Sequence, residues 1–236
     1  MKLCKKWRGR EVSTSFSQAK DIRLLVLGAT GLVGSHVLSQ ALANSSFSTI
    51  IAPTRTPIPS LDTSLEKLIN PQIDYENISA YEPEWEVDAV ICALGTTIKK
   101  AGNRDTLRRI DYDYPLEFSR LAQSRGASSF ALTSAIGANP DSYFFYNRVK
   151  GELEQALERE NFSSLTFVRP SVIAGNRQES RPGEIALKFA LTVLSPLLPR
   201  RWHLNPASEI AARLIQSVIF PQPRTTIIQS MEMTGK

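Results

Sequence analysis

Residues 23–34 read RLLVLGATGLVG. The apolar run 23–27 has no polar alternation, so it must be covered on both faces, as a central parallel strand is. It ends at Gly28, and Gly28, Gly31 and Gly34 follow in the spacing G-x-x-G-x-x-G, running into a helical pattern over 32–42. Three glycines weaken a helix start, so their placing needs a further reason. Gly28 lets the chain turn sharply off the strand, Gly31 lets backbone approach a pyrophosphate, and Gly34 lets the helix lie close to the sheet. The unbonded N–H groups of the first helical turn would then face the phosphates. This stretch predicts a strand–turn–helix unit that binds a dinucleotide.

The rest of the chain repeats that alternation. Strands are expected at 49–52, near Ile73, at 87–94, 130–133 and 165–168, and helices at 105–124, 142–160 and 208–219, with a weak helical patch at 65–68. Strand alternating with helix means an α/β fold, a Rossmann-type doubly wound parallel sheet. We expect a single domain over 21–236 whose C-terminal residues, mainly 171–236, form a small substrate lobe. Residues 1–20 read as a basic, disordered leader.

Charge narrows the function. Lys2, Lys5, Lys6, Arg8, Arg10 and Lys20 against Glu11 account for the whole net charge of +5. The remainder is balanced, which argues against a nucleic-acid surface. No apolar run is long enough to span a membrane, and the leader lacks the apolar core of a secretory signal. Cys4 and Cys92 do not suggest a disulfide framework; Cys92 reads as a buried thiol in a reducing compartment, and the expected location is cytoplasmic. No residues have metal-ligand spacing.

A dinucleotide site calls for an acid about 20 residues beyond the glycines, to bind the ribose of NAD. Here the chain reads Ala52-Pro53-Thr54-Arg55-Thr56, with no acid. A guanidinium at that place matches a 2′-phosphate, so NADP(H) is favoured over NAD(H).

In YFFYNRVKGELE, residues 143–154, Tyr146 and Lys150 share a helix face, and Ser134 lies a dozen residues before Tyr146 at the end of the preceding strand. With the glycine loop, this resembles the extended and atypical short-chain dehydrogenases/reductases. The resemblance implies catalytic roles for Tyr146, Lys150 and Ser134. Hydride reduction of a carbonyl creates an alkoxide that needs a proton. An ammonium beside a phenol makes it a better partner at neutral pH, and a serine hydroxyl would fix the substrate oxygen. Tyr143 is too far along the helix from Lys150 to form the pair and is expected to pack.

Further stretches resemble one atypical branch, the Tat-interacting-protein-like oxidoreductases: Cys92-Ala93-Leu94-Gly95-Thr96-Thr97 with Lys100-Ala101-Gly102; Arg109-Ile110-Asp111-Tyr112-Asp113-Tyr114; Val149-Lys150-Gly151-Glu152; and Arg169-Pro170-Ser171-Val172-Ile173 continuing to RQESRPGE at 177–184. That resemblance implies cofactor contacts at Thr30, Gly31, Leu32, Val33, Arg55, Leu94, Gly95, Tyr146, Lys150, Ile173 and Arg181. Two departures stand out. Arg55 is followed by Thr56 where the family can show a second basic residue. The helical asparagine of many short-chain reductases has no evident counterpart, with Asp111 nearby and Asn103 further back. The 177–184 stretch is expected to close over cofactor and substrate through Arg177 or Arg181, and 199–203 to form a substrate lid in which His203 is structural.

The expected activity is NADP(H)-dependent hydride transfer on a small carbonyl or alcohol. Two alternatives stay open: an NADPH-binding regulatory scaffold, and a nucleotide-sugar epimerase or dehydratase, which usually needs a longer segment than follows Pro170 here. The expected partners are a small-molecule substrate and a protein partner or second copy of the chain.

Overall fold

The computed structural model describes residues 21–58, 66–78, 85–174 and 204–233. In chain order these give β1 (Ile22–Leu27), α1 (Leu32–Leu42), β2 (Phe47–Ile51), β3 (Leu68–Ile69), β4 (Ala89–Cys92), α2 (Ile98–Ala101), α3 (Arg104–Arg108), a π-helical turn (Arg109–Asp113) and α4 (Tyr114–Ser124). There follow β5 (Ser129–Thr133), α5 (Phe145–Leu157), β6 (Ser164–Arg169), β7 (Ile173–Ala174), β8 (Asn205–Pro206), α6 (Ala207–Ile219), β9 (Arg224–Gln229) and a 3₁₀ turn (Ser230–Met233). The main sheet is parallel and has the order β3-β2-β1-β4-β5-β6-β9.

Alternate residues of each strand feed opposite cores, because the side-chain period of a strand is two. Leu24, Val26, Ile50, Ile91, Ala131 and Val168 pack under α1 and α6 with Val37, Ile210 and Leu214. Leu25, Leu27, Ile51, Val90, Phe130, Leu132 and Phe167 pack under α4 and α5 with Phe118 and Leu153. This double burial is why the strands read as unbroken apolar runs.

The structure corrects several expectations. The helix expected at 105–124 is interrupted by the π-helical turn. The patch read as helical at 65–68 yields a strand, β3, at its described end, paired with β2. Near Ile73 there is only an isolated bridge, Thr54 to Gln72. Tyr143 does not pack; it is fully exposed, just ahead of α5. Of the C-terminal residues, α6 covers the main sheet and β9 extends it, whereas β8 pairs with β7 in a separate two-stranded sheet. The leader 1–20, the 177–184 stretch with Arg177 and Arg181, and 199–203 with His203 lie outside the described residues. Among the described residues no helix is long and apolar enough to cross a membrane.

Candidate active site

Strand order reverses between β1 and β4, and the crevice beyond their carboxyl ends is where a doubly wound sheet binds ligands. The glycine loop lies there. Gly28 has φ +79, and a Cβ on it would come within 2.8 Å of the Ala93 backbone just beyond β4. Gly34, on the first turn of α1, passes so close to the loop that a Cβ would stand 2.0 Å from the Gly28 carbonyl oxygen. Close approach of helix to strand therefore requires both glycines. The first turn of α1 holds no acidic residue, and its N-cap, Gly31, offers no side chain to its N–H groups. Thr30 and Gly31 are exposed, Leu32 is half-buried and Val33 is buried. Thr54 is buried and accepts a hydrogen bond from the Asn70 amide at 2.8 Å, whereas Arg55 projects into solvent from the end of β2.

Beyond β4, Leu94 is half-buried and Gly95 exposed. Lys150 lies beneath them. Its Nζ stands 2.9 Å from Asp111 Oδ1, with the two side chains 1% and 0% exposed. At this distance the pair is ionic. Burial opposes the charge on Lys150, but the Asp111 carboxylate and then Tyr146 outweigh it and raise the ammonium above its ordinary value. Asp111 Oδ2 accepts the Thr96 N–H at 2.8 Å, so one carboxylate ties the loop after β4 to the cation.

Asp111 reaches Lys150 from the π-helical turn, where the Tyr114 N–H bonds back to the Arg109 carbonyl. Pro115 gives the reason. It has no N–H for the Asp111 carbonyl four residues back, and its ring crowds that carbonyl, so the helix widens there.

Tyr146 is partly exposed at the head of α5, and Lys150 Nζ lies 5.9 Å from its ring centroid. Gly151 seats this helix: a Cβ there would meet Asn139 backbone at 2.2 Å, so the loop after β5 crosses directly over α5. Asn147 fastens the same loop, its amide donating to the Ile136 carbonyl at 2.9 Å.

Ser134 is buried at the end of β5, and its hydroxyl donates to the Glu154 carboxylate. Glu154 is in turn gripped by the Arg169 guanidinium through two contacts, one of them 3.0 Å. The expectation that Ser134 donates to a substrate oxygen meets a different arrangement, because its proton is already given to Glu154. Ile173, in β7, is half-buried and held through Asn205, whose Oδ1 accepts from the Ser171 N–H at 2.8 Å and the Ser230 hydroxyl at 2.8 Å.

No protein-family model matches the chain. Protein HTATIP2 of Rattus norvegicus is 33% identical over 203 residues, 84% of this chain and 81% of that protein. The mitochondrial protein fmp52 of Aspergillus niger is 36% identical over 169 residues, 69% of this chain and 71% of that one. The chain belongs to the HTATIP2 family.

Solved structures of more distant sequence share its fold. A UDP-N-acetylglucosamine 4-epimerase from Methanobrevibacter ruminantium M1, in complex with UDP-N-acetylmuramic acid, superposes with a TM-score of 0.66 at 17% identity over 89% of this chain and 77% of its own. The enzyme WbmG of Bordetella bronchiseptica, in complex with NAD, gives 0.66 at 11% over 92% and 75%. The site of this HTATIP2-family chain thus combines the sequence-expected loop, Tyr146 and Lys150 with three residues whose roles spacing did not reveal: Asp111, Glu154 and Arg169. Pro115 was the visible signal for the first, since a proline within a long helical pattern marks an opening of that helix.

Proposed function

We propose that this protein is an NADP(H)-dependent oxidoreductase that transfers hydride between the nicotinamide and a small carbonyl or alcohol. The observation that carries the reading is the Lys150 ammonium, buried against Asp111 beneath the exposed Gly95 beyond β4, together with a glycine loop that packs on the same strand end with no room for a Cβ. Burying such a cation is costly unless something uses its donors, and ribose hydroxyls suit it. The phosphates would lie on the first turn of α1 and the 2′-phosphate on Arg55.

When bound, the nicotinamide would supply the hydride. The chain's part is to place the substrate and move the proton. The Tyr146 hydroxyl protonates the oxygen of the carbonyl as it is reduced, and takes the proton back in the reverse direction. Lys150 holds a positive charge beside that phenol. Ser134 contributes by fixing α5 through Glu154. Leu94, Gly95 and Ile173 line the cleft. The WbmG complex named above contains NAD, so the preference for NADP(H) rests on Arg55 and on the missing acid after β2. We place the protein in a reducing compartment, the cytoplasm, acting on a small molecule, with a protein partner or second copy of the chain as its macromolecular contact.

Titration with NADPH and NADH, following nicotinamide fluorescence, tests the reading. Arg55→Ala is expected to weaken NADPH about tenfold or more and leave NADH unchanged, since a hydrogen bond to a charged group contributes about 1.5–3 kcal/mol. Absence of binding by either nucleotide would sink the proposal. Given binding, Tyr146→Phe should abolish turnover in a carbonyl screen while keeping NADPH affinity.

A further inference from the structure

We propose that Asp111 is a positioning residue of this site: its buried carboxylate keeps the Lys150 ammonium charged and fixed beneath the Gly95 edge of the cleft. The inference rests on the reading above for what the cation serves, but its geometry stands independently. Lys150 is enclosed by three elements. From β4 it faces Cys92, from its own helix Tyr146, and from the π-helical turn Asp111, the one carboxylate among these three. A Cβ added at Gly95 would lie 3.3 Å from Asp111 Oδ1 and 4.0 Å from Lys150 Nζ, so the pair is stacked directly under that exposed glycine.

The stoichiometry explains why the pair can serve as well as support. Asp111 neutralises the cation through Oδ1 and spends its other oxygen on the Thr96 N–H. An ammonium carries three N–H donors, so one carboxylate partner leaves others for a ligand while the charge is held. Without the carboxylate, burial alone would govern, and burial favours the neutral amine, whose midpoint then falls well below that of an exposed lysine. Pro115 makes the arrangement possible by opening the helix at Asp111.

The test is to follow the ¹⁵Nζ resonance of Lys150 with pH in the full chain, assigned by its loss in Lys150→Met. In the natural sequence the ammonium should still be more than half protonated at pH 10.5, the ordinary value for lysine. In Asp111→Asn the midpoint should fall by one pH unit or more, a tenfold change in the protonation equilibrium. Asp111→Glu, which keeps the charge, should restore most of the difference. A residue that merely braces the helix would leave the midpoint in place, so equal midpoints in the natural protein and Asp111→Asn overturn the proposal. If Asp111→Asn does not fold, the natural protein decides alone: a midpoint below 10.5 means that Asp111 does not hold the charge, and one at or above it supports the assignment. NADPH titration of the same samples separates the two ideas. Failure of the natural protein to bind NADPH removes the oxidoreductase reading, while the lysine titration still decides what Asp111 does.

Discussion

Gly34 and Gly151 are positions where one methyl group would disturb the site. At each, a Cβ would land on backbone, 2.0 Å from the Gly28 oxygen and 2.2 Å from the Asn139 carbonyl carbon, and backbone cannot swing aside as a side-chain tip can. Overpacking costs about 1–3 kcal/mol, occasionally more. Gly34→Ala and Gly151→Ala should each lower the urea midpoint by that order although alanine favours helix, with Gly34→Ala also losing NADPH affinity; unchanged midpoints would show that the backbone gives way. The glycine spacing was legible because a glycine in a helix start announces a steric demand. Tyr146 and Lys150 were legible because i and i+4 share a face. Asp111 was not: Pro115 marks where the helix opens, but nothing local indicates which lysine an acid there faces.

Among the elements, the two anchors of α5 act differently. Glu154 joins α5 to β5 through Ser134 and to β6 through Arg169. Glu154→Ala would leave the guanidinium without its carboxylate, and breaking a buried pair on one side costs about 3–5 kcal/mol. With Arg169 retaining 20% side-chain exposure, the lower end is expected in chemical unfolding. The π-helical turn should respond in the opposite sense. Pro115→Ala restores an N–H where the helix now opens, so thermal stability should hold or rise while NADPH binding weakens as Asp111 is drawn into a regular helix. A variant that loses stability and keeps affinity would show that Pro115 is not what opens it. Long apolar elements were readable because period and length are local properties. The two-residue β3 carries too few residues for a pattern, and β9, RTTIIQ with alternate residues exposed, becomes a strand by pairing with β6.

Across the whole molecule, two buried acids should weaken the fold at alkaline pH. Burial pushes the Cys92 thiol up to about 11 from an ordinary 9.0, only partly offset by the Leu94 backbone. Burial likewise pushes the Tyr75 phenol up to about 12 from 10.0. Both are acids whose folded-state values lie above their unfolded ones. Between the two values the unfolded chain has released protons that the folded chain still holds, so stability is full below pH 9 and falls as pH rises toward 12. Each contributes on the order of 2–3 kcal/mol to that fall. Cys92→Ala should delay the onset of the loss in unfolding experiments across pH 8–11, and Tyr75→Phe should flatten its upper part; an unchanged profile in both would place the alkaline limit elsewhere. The doubly wound sheet, the glycine loop and the shared helix face of Tyr146 and Lys150 were legible before any fold was known, because apolar period, backbone sterics and helical spacing act over a few neighbouring residues. Packing across the sheet was needed to bring Asp111 to Lys150, to turn the Ser134 hydroxyl to Glu154, and to add β9 at the edge of the sheet. Those contacts join residues 20 to 60 positions apart, and which buried charges meet depends on how the helices pack across the sheet.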